Sequence, residues 1–533
     1  MKPTIVALTL TCSILFAADP TPVAKANTKV ANMSRPHVLS PEFYQYPVAQ
    51  GSIPVENPFD HVSHYGYNDN GTMLPAPGAT PAADKPVIEA SKTEPDKNLY
   101  LTLPRQNGPD PTYYYGEHFL FQGHETGLVG YFTRINLDAQ DPEHRITLMA
   151  TQDASGKPLP VYDGITWYPW AQRILLSAEG SGSTGGIWQA TLNYPSEVVD
   201  ISGVVGRGGY EGLQADSSGN LIIVEDIGGT TGTRYPNARR PNSFVYRFIP
   251  ANPYNLLAGG KLQVLQVTGR SGRPIVFNTV VDDSIVNSDM LDLHTYHLVF
   301  TTKWVTIHDT AKDGFTPFDA GALAKAATGG TPFKRPENGQ FRPGTNFTEF
   351  YFDETGDTSI RTEAGSQYGG FGSIFKLTLS PSSDDGKLQL LFLGDPEHTG
   401  LDNCAFFTEN KIIFVEDAGD TLHGQRNALD SAFLFDVRAD YGSSNTPQPI
   451  RVIAEGRDPS ATLDASLVGQ AGFNNEGDNE ITGIHISNGD PTIDGLLGAK
   501  VPTPFTNGWR FFWTAQHGDN VTFEVKSKVH PNW

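Results

Sequence analysis

The chain has 533 residues, with 59 acidic side chains against 38 basic ones and a formal net charge of −21. That balance argues against nucleic acid or an anionic membrane surface as partner, because phosphate binding needs lysine and arginine. With 55 glycines and 39 prolines, the chain reads as many short strands joined by turns. All-β folds of this length commonly form one domain.

At the N-terminus Lys2 precedes an apolar run from Ile5 to Phe16, followed by Ala17-Ala18. The pattern predicts a signal peptide over 1–26, cleaved after Ala17 or Ala18 or after Ala24-Lys25-Ala26. The expected location is secreted or periplasmic. The run is too short to span a bilayer, and no other stretch approaches that length. Removing it takes Cys12 away and leaves Cys404 alone, so an intrachain disulfide is excluded and Cys404 is expected to pack as a small buried hydrophobe. Residues 27–111, rich in Pro, Ala, Asn and Asp, read as an extended N-terminal arm with little regular structure. Residues 112–533 form the repeating body.

The body repeats one pattern: an acidic or polar opening, a short run, a turn, an apolar strand and a closing carboxylate. It occurs as DGITWYPWAQRILLSAEG (163–180), EGLQADSSGNLIIVED (211–226) and LDNCAFFTENKIIFVED (401–417). Looser copies are SDMLDLHTYHLVFTTKW (288–304), RPENGQFRPGTNFTEFYFDETGD (335–357), and ITGIHISNGD with GWRFFWTAQHGDN (481–520). Recurrence at about 50 to 80 residues predicts an all-β, six-bladed β-propeller with long inter-blade insertions. One insertion, DAGALAKAAT (319–328), has the composition of a short surface helix.

If equivalent strands end in acids, those acids converge at one mouth of the central channel. Glu179, Glu225, Asp226, Glu416 and Asp417 are therefore expected to form a ring of oxygen ligands for a divalent cation, calcium first. No H-E-x-x-H or Cys/His zinc spacing appears, nor a G-x-S-x-G nucleophile turn.

The pieces DGITWYPWAQRILLSAE, GNLIIVED, FKRPENG, GSIFKL, LDNCAFFTENKIIFVED, and NEITG followed by TAQHGDN resemble, in order, the secreted PhoX-type alkaline phosphatases. The resemblance covers residues 160–520. It implies a six-bladed propeller whose mixed iron–calcium cluster hydrolyses phosphate monoesters. It also implies that Arg335 grips phosphate and Glu337 binds metal, with Glu179, Glu416, Asp417 and Glu480 at the cluster or its rim. His517 is a further candidate, as ligand or proton donor. The chain departs from the family pattern at Ala178, where a Cys ligates iron, and at Gly180, Ser243 and Gln516-His517-Gly518-Asp519. Without that thiolate, calcium is the expected cation and iron the doubtful one.

Three functions share this architecture. The first is a metal-dependent phosphoric ester hydrolase acting on a small phosphate ester. The second is a non-catalytic, calcium-stabilised propeller that binds another small ligand or a surface partner. The third is a calcium-dependent esterase or lactonase.

Overall fold

The structure, a computed structural model, describes residues 19–28, 37–69, 91–180, 182–326, 329–456, 480–516 and 520–528. The chain begins with β1 (His37–Leu39), β2 (Phe43–Ala49) and a hairpin, β3 (Pro54–Phe59) with β4 (Val62–His64). Two four-stranded antiparallel meanders follow. The first is β5 (Pro95–Thr102), β6 (His118–His124), β7 (Phe132–Asn136) and β8 (Ile146–Ala150). The second is β9 (Ile165–Tyr168), β10 (Arg173–Ala178), β11 (Gly186–Ala190) and β12 (Val198–Asp200).

A nine-stranded sheet comes next. It contains one meander, β13 (Tyr210–Ala215), β14 (Leu221–Glu225), β15 (Val245–Pro250) and β16 (Gly260–Thr268), and a long strand β17 (Val299–Asp309). A second meander completes it: β18 (Gly339–Phe341), β19 (Glu349–Glu354), β20 (Ser373–Leu379) and β21 (Asp385–Leu393). β17 bridges the two by pairing with both β16 and β21. The last sheets are β22 (Leu401–Phe406), β23 (Lys411–Glu416), β24 (Ser431–Asp436) and β25 (Ile450–Glu455), then β26 (Glu480–Ser487), β27 (Arg510–Gln516) and β28 (Val521–Ser527).

The first strand of each meander is its innermost. These six strands touch in a cycle: β5 with β9, β9 with β13, β13 with β18, β18 with β22, β22 with β26, and β26 with β5. Apolar side chains fill the wedges between neighbouring meanders. Leu175 and Ile187 of the second, for example, pack with Leu213, Ile223 and Tyr246 of the third.

Two expectations differ from this arrangement. The stretch 288–304 is not a repeat unit: Ser288–Leu293 is a helix, and the strand after it is the bridge β17. The meander missing from the sequence reading is β5–β8, which starts at Pro95, inside the stretch read as an arm with little regular structure. That arm also supplies β1, which pairs with β25, and β2, which pairs with β28. The expected helix in the insertion is present as Ala320–Ala326. Residues 1–18, most of the expected signal peptide, lie outside the described residues. Within its last part Val23 is buried, and its N–H donates to the carbonyl of Arg451 (2.8 Å).

Strands β1 and β2 each cover an edge that would otherwise expose unpaired backbone groups. A chain starting at Gly51 lacks both. It is expected to aggregate on size-exclusion chromatography and to lose its cooperative melting transition by circular dichroism, whereas a chain starting at Asp19 should keep both properties.

Candidate metal centre

Each innermost strand opens on a polar residue and its neighbour: Asp96-Lys97, Asp163-Gly164, Glu211-Gly212, Glu337-Asn338, Asp402-Asn403 and Thr482-Gly483. The small residues reflect crowding where the strands converge. A Cβ on Gly164 would lie 2.2 Å from the carbonyl oxygen of Glu211, and Gly483 takes φ +60° against the Asp96 carbonyl. In four of the six pairs of first and second strands the register shifts at this point: Pro95/Asn98, Tyr210/Leu213, Leu401/Cys404 and Thr482/His485. A bulge re-aims the side chains it contains. Here it carries Asp96, Glu211 and Asp402.

The second strands supply another tier. Glu125, Glu179, Asp226 and Asp417 each follow the last residue of β6, β10, β14 and β23. Oxygens of four triads lie within 4.8 Å of one another: Asp96/Glu125/Asp163, Asp163/Glu179/Glu211, Glu179/Asp226/Glu337 and Glu211/Glu337/Asp402. Shared members link them into one continuous patch of eight carboxylates.

Burial, and after it the neighbouring carboxylates, push Glu125, Asp163 and Glu211 well above the usual carboxylate range. The same causes act on Glu179 and Glu337, and Asp402 is raised to about 7. Glu480 is raised by burial and then by Asp417, Glu125, Asp402 and Asp96, so it faces the same patch.

Arg335 enters from the Lys334–Asn338 loop. Its Nε donates to both oxygens of Asp226 (2.8 and 3.0 Å), and its Nη2 lies 2.6 Å from Asp226 Oδ2 and 3.2 Å from Glu337 Oε1. The residue adopts φ +60° although it precedes Pro336. That conformation is costly for a non-glycine residue and persists only where its surroundings enforce it.

Of the residues expected from sequence, Glu179, Asp226, Arg335 and Glu337 therefore come together, and Asp417 and Glu480 lie on the same patch. Glu225 and Glu416 belong to none of the four triads. Each is the last residue of its strand, so its side chain points to the opposite side from the acid that follows. Glu225 accepts from Tyr246 Oη (2.9 Å) and Phe244 N (3.1 Å). Glu416 is held by Arg426 (2.9 and 3.0 Å) and accepts from Thr399 N and Ser431 N. His517 lies outside the described residues; its neighbour Gln516 donates to Glu125 (2.9 Å). Sequence reasoning missed Asp96, Glu125, Asp163, Glu211 and Asp402. The signal for three of them was the acid that opens each repeat, at 163, 211 and 402.

Two observations bear on whether a cation fits here. Asp163 Oδ1 and Glu211 Oε2 are buried and accept no hydrogen bond. The donor set of the four triads is oxygen only. Such a set suits a hard cation such as calcium, which takes six to eight oxygens at about 2.3–2.6 Å. It does not suit thiolate-bound iron. Ala178 packs in an apolar cluster with Trp188 and Ile174, and Cys404 is buried among Phe406, Phe414 and Phe433.

The family model for alkaline phosphatase PhoX matches residues 220–428. Pseudomonas fluorescens PhoX, solved in complex with the transition-state analogue vanadate, superimposes with a TM-score of 0.55. The match covers 96% of this chain and 98% of that one, at 11% identity. Over residues 220–428 the chain is similar to the PhoX alkaline phosphatases, and it shares the overall fold of the Pseudomonas fluorescens protein. The matched segment holds Asp226, Arg335, Glu337 and Asp402, whereas Asp96, Glu125, Asp163, Glu179 and Glu211 precede it.

More distant likenesses are an α-L-arabinanase from Penicillium chrysogenum (TM-score 0.33, 10% identity, 64% of this chain and 77% of that one) and an α-L-arabinofuranosidase from Fusarium graminearum (0.34, 11%, 74% and 99%). No curated protein sequence matches.

The raised carboxyls give a pH signature. A carboxyl whose folded-state value lies above its unfolded one stabilises the fold while protonated. For Asp402 that contribution is complete below the unfolded value of 3.8 and is lost as pH rises through about 7. In chelator, the melting temperature is therefore expected to fall between about pH 5 and about pH 8. Millimolar calcium should restore it, and more so at the higher pH, because a ligand of the native state stabilises by mass action. A flat profile with no response to calcium would show that the patch holds no such cation.

Proposed function

We propose that the chain is a secreted, metal-dependent phosphoric ester hydrolase acting on small-molecule phosphate esters at the channel mouth. The observation that carries this reading is the guanidinium of Arg335 on two members of one carboxylate triad, Asp226 and Glu337. A fork that grips a carboxylate through Nε and Nη2 grips two phosphoryl oxygens in the same way. Asp226 thus occupies the seat of the phosphoryl group and is freed to serve as a ligand when that group arrives.

Glu179, Asp226 and Glu337 would hold the cation nearest Arg335. Asp96, Glu125, Asp163, Glu211 and Asp402 would complete the cluster, with Asp417 and Glu480 at its rim. A cation held by these residues would supply neutralisation of phosphoryl charge and activation of water. Arg335 binds and orients the phosphoryl group. His517 is the proposed proton donor to the leaving oxygen. The apolar N-terminal run supports export.

The oxygen-only donor set and Ala178 favour calcium over iron. They also support the second reading, a calcium-stabilised propeller that binds a ligand without turning it over. Assays on a panel of phosphate mono- and diesters with added calcium or iron separate the two. Hydrolysis is expected to require a cation. Arg335→Ala should lower kcat/KM roughly 10- to 100-fold, the loss expected for a charged hydrogen-bonding partner, and Arg335→Lys should lower it less. An identical background rate for wild type and Arg335→Ala would end the phosphatase reading and leave the binding one.

A further inference from the structure

The left-handed conformation of Arg335 needs something to hold it, and the loop is held through the residue before it. The N–H of Lys334 donates to Glu354 Oε1 (2.7 Å), and its buried Nζ pairs with both oxygens of Asp357 (2.8 and 3.0 Å). The carbonyls of Lys334 and Arg335 accept from Gly356 N (3.2 Å) and Thr355 N (2.9 Å). Glu354 ends β19 and is itself fully buried. Its Oε2 accepts from Ser373 Oγ (2.5 Å) and meets His294 Nε2 at 2.9 Å.

His294 caps the helix Ser288–Leu293, and its Nδ1 lies 2.7 Å from the carbonyl oxygen of Met290. A carbonyl oxygen can only accept, and so can an ionised carboxylate. Both ring nitrogens must then donate, which makes the ring an imidazolium sealed inside the protein. Phe375 of β20 lies against the ring, and Gly369 has no side chain that would collide with Nε2. On the far side of Glu354 the charged groups are Lys334 and Asp357. Asp357 also accepts from Arg239 N (2.9 Å) and Thr362 Oγ1 (2.7 Å).

We propose that His294 is a positioning residue for Arg335: as a doubly protonated ring it fixes Glu354, and Glu354 fixes the backbone that presents the guanidinium. The proposal rests on the phosphate-binding role given to Arg335. Burial raises the Glu354 carboxyl, but His294 together with Ser373 and the Lys334 N–H holds it below its ordinary range, in keeping with an ionised acceptor. The device joins the insertion between β16 and β17 to the site.

The test uses the full chain, His294→Gln, which donates to one partner only, and His294→Phe, which keeps a ring and donates to none. Nuclear magnetic resonance on protein labelled at histidine should show, at neutral pH, one ring with protons on both nitrogens that vanishes in His294→Gln. Hydrogen exchange at Thr355 and Gly356 should quicken in both variants. KM for a phosphate ester should rise about 10-fold in both variants with kcat nearly unchanged, the signature of lost ground-state binding. A neutral His294 ring in the wild type, or unchanged exchange at Thr355 and Gly356 in both variants, overturns the proposal. If the wild type hydrolyses no ester, the phosphatase reading falls, and ring protonation with amide exchange still decides whether His294 holds the loop.

Discussion

Like charges held close together repel, and the centre of this protein is built around that repulsion. Eight carboxylates from several meanders approach to within 4.8 Å of one another in overlapping triads. Burial of Asp96, Asp163, Glu211, Glu337 and Asp402 disfavours their charged forms, and the proximity of all eight adds to the penalty. The surrounding features follow from it. Small residues let the innermost strands converge, bulges turn their first acids inward, and a strained loop delivers one arginine. That arginine offsets only part of the charge. A cation is the remaining way to keep the patch ionised and buried at once, which is why oxygen ligation is the chemistry this centre suits.

The Glu-Asp pairs show how one strand end serves two purposes. Alternation sends consecutive side chains to opposite sides. The second acid, Asp226 in β14's case, faces the channel. The first acid turns into the wall and becomes an acceptor for backbone N–H groups. Glu225 receives Phe244 N, and Glu416 receives Thr399 N and Ser431 N. These inward acids tie the loops at the mouth to their own sheets. The repeat is thus a structural brace and a ligand made from adjacent residues.

Much of the fold was legible because strands such as LIIV and KIIFV, each with a turn before and an acid after, declare themselves by composition. The first meander was not, because its inner strand opens Pro95-Asp96-Lys97-Asn98, residues that read as loop. Asp96, Lys97 and Asn98 are buried all the same, because the innermost strands converge on the channel. The stretch around Met290 misled for the opposite reason. Its strand alternates exposed and buried residues like a blade strand, yet it joins two sheets by their outer edges. At the site, the motif around Arg335 and Glu337 and the closing acids Glu179 and Asp226 could be read from sequence. Which member of a Glu-Asp pair faces the channel could not, because it depends on the phase of the strand. The acids that open the repeats at 163, 211 and 402 are visible in the sequence, but their inward turn is not: for Glu211 and Asp402 it comes from bulges that leave no composition signal.

The pairing of β1 with β25 and of β2 with β28 has a kinetic meaning. His37 meets Glu455 and Phe43 meets Ser527, contacts between opposite ends of the chain. Closing so long a loop is entropically expensive, and folds dominated by distant pairings form slowly. Made or exported from its N-terminus, the chain carries two bare strands through almost its whole emergence, and their partners are among the last to appear. The ring therefore shuts only after β28 has emerged, and the acidic channel, whose walls come from strands β5 to β26, is assembled late in folding.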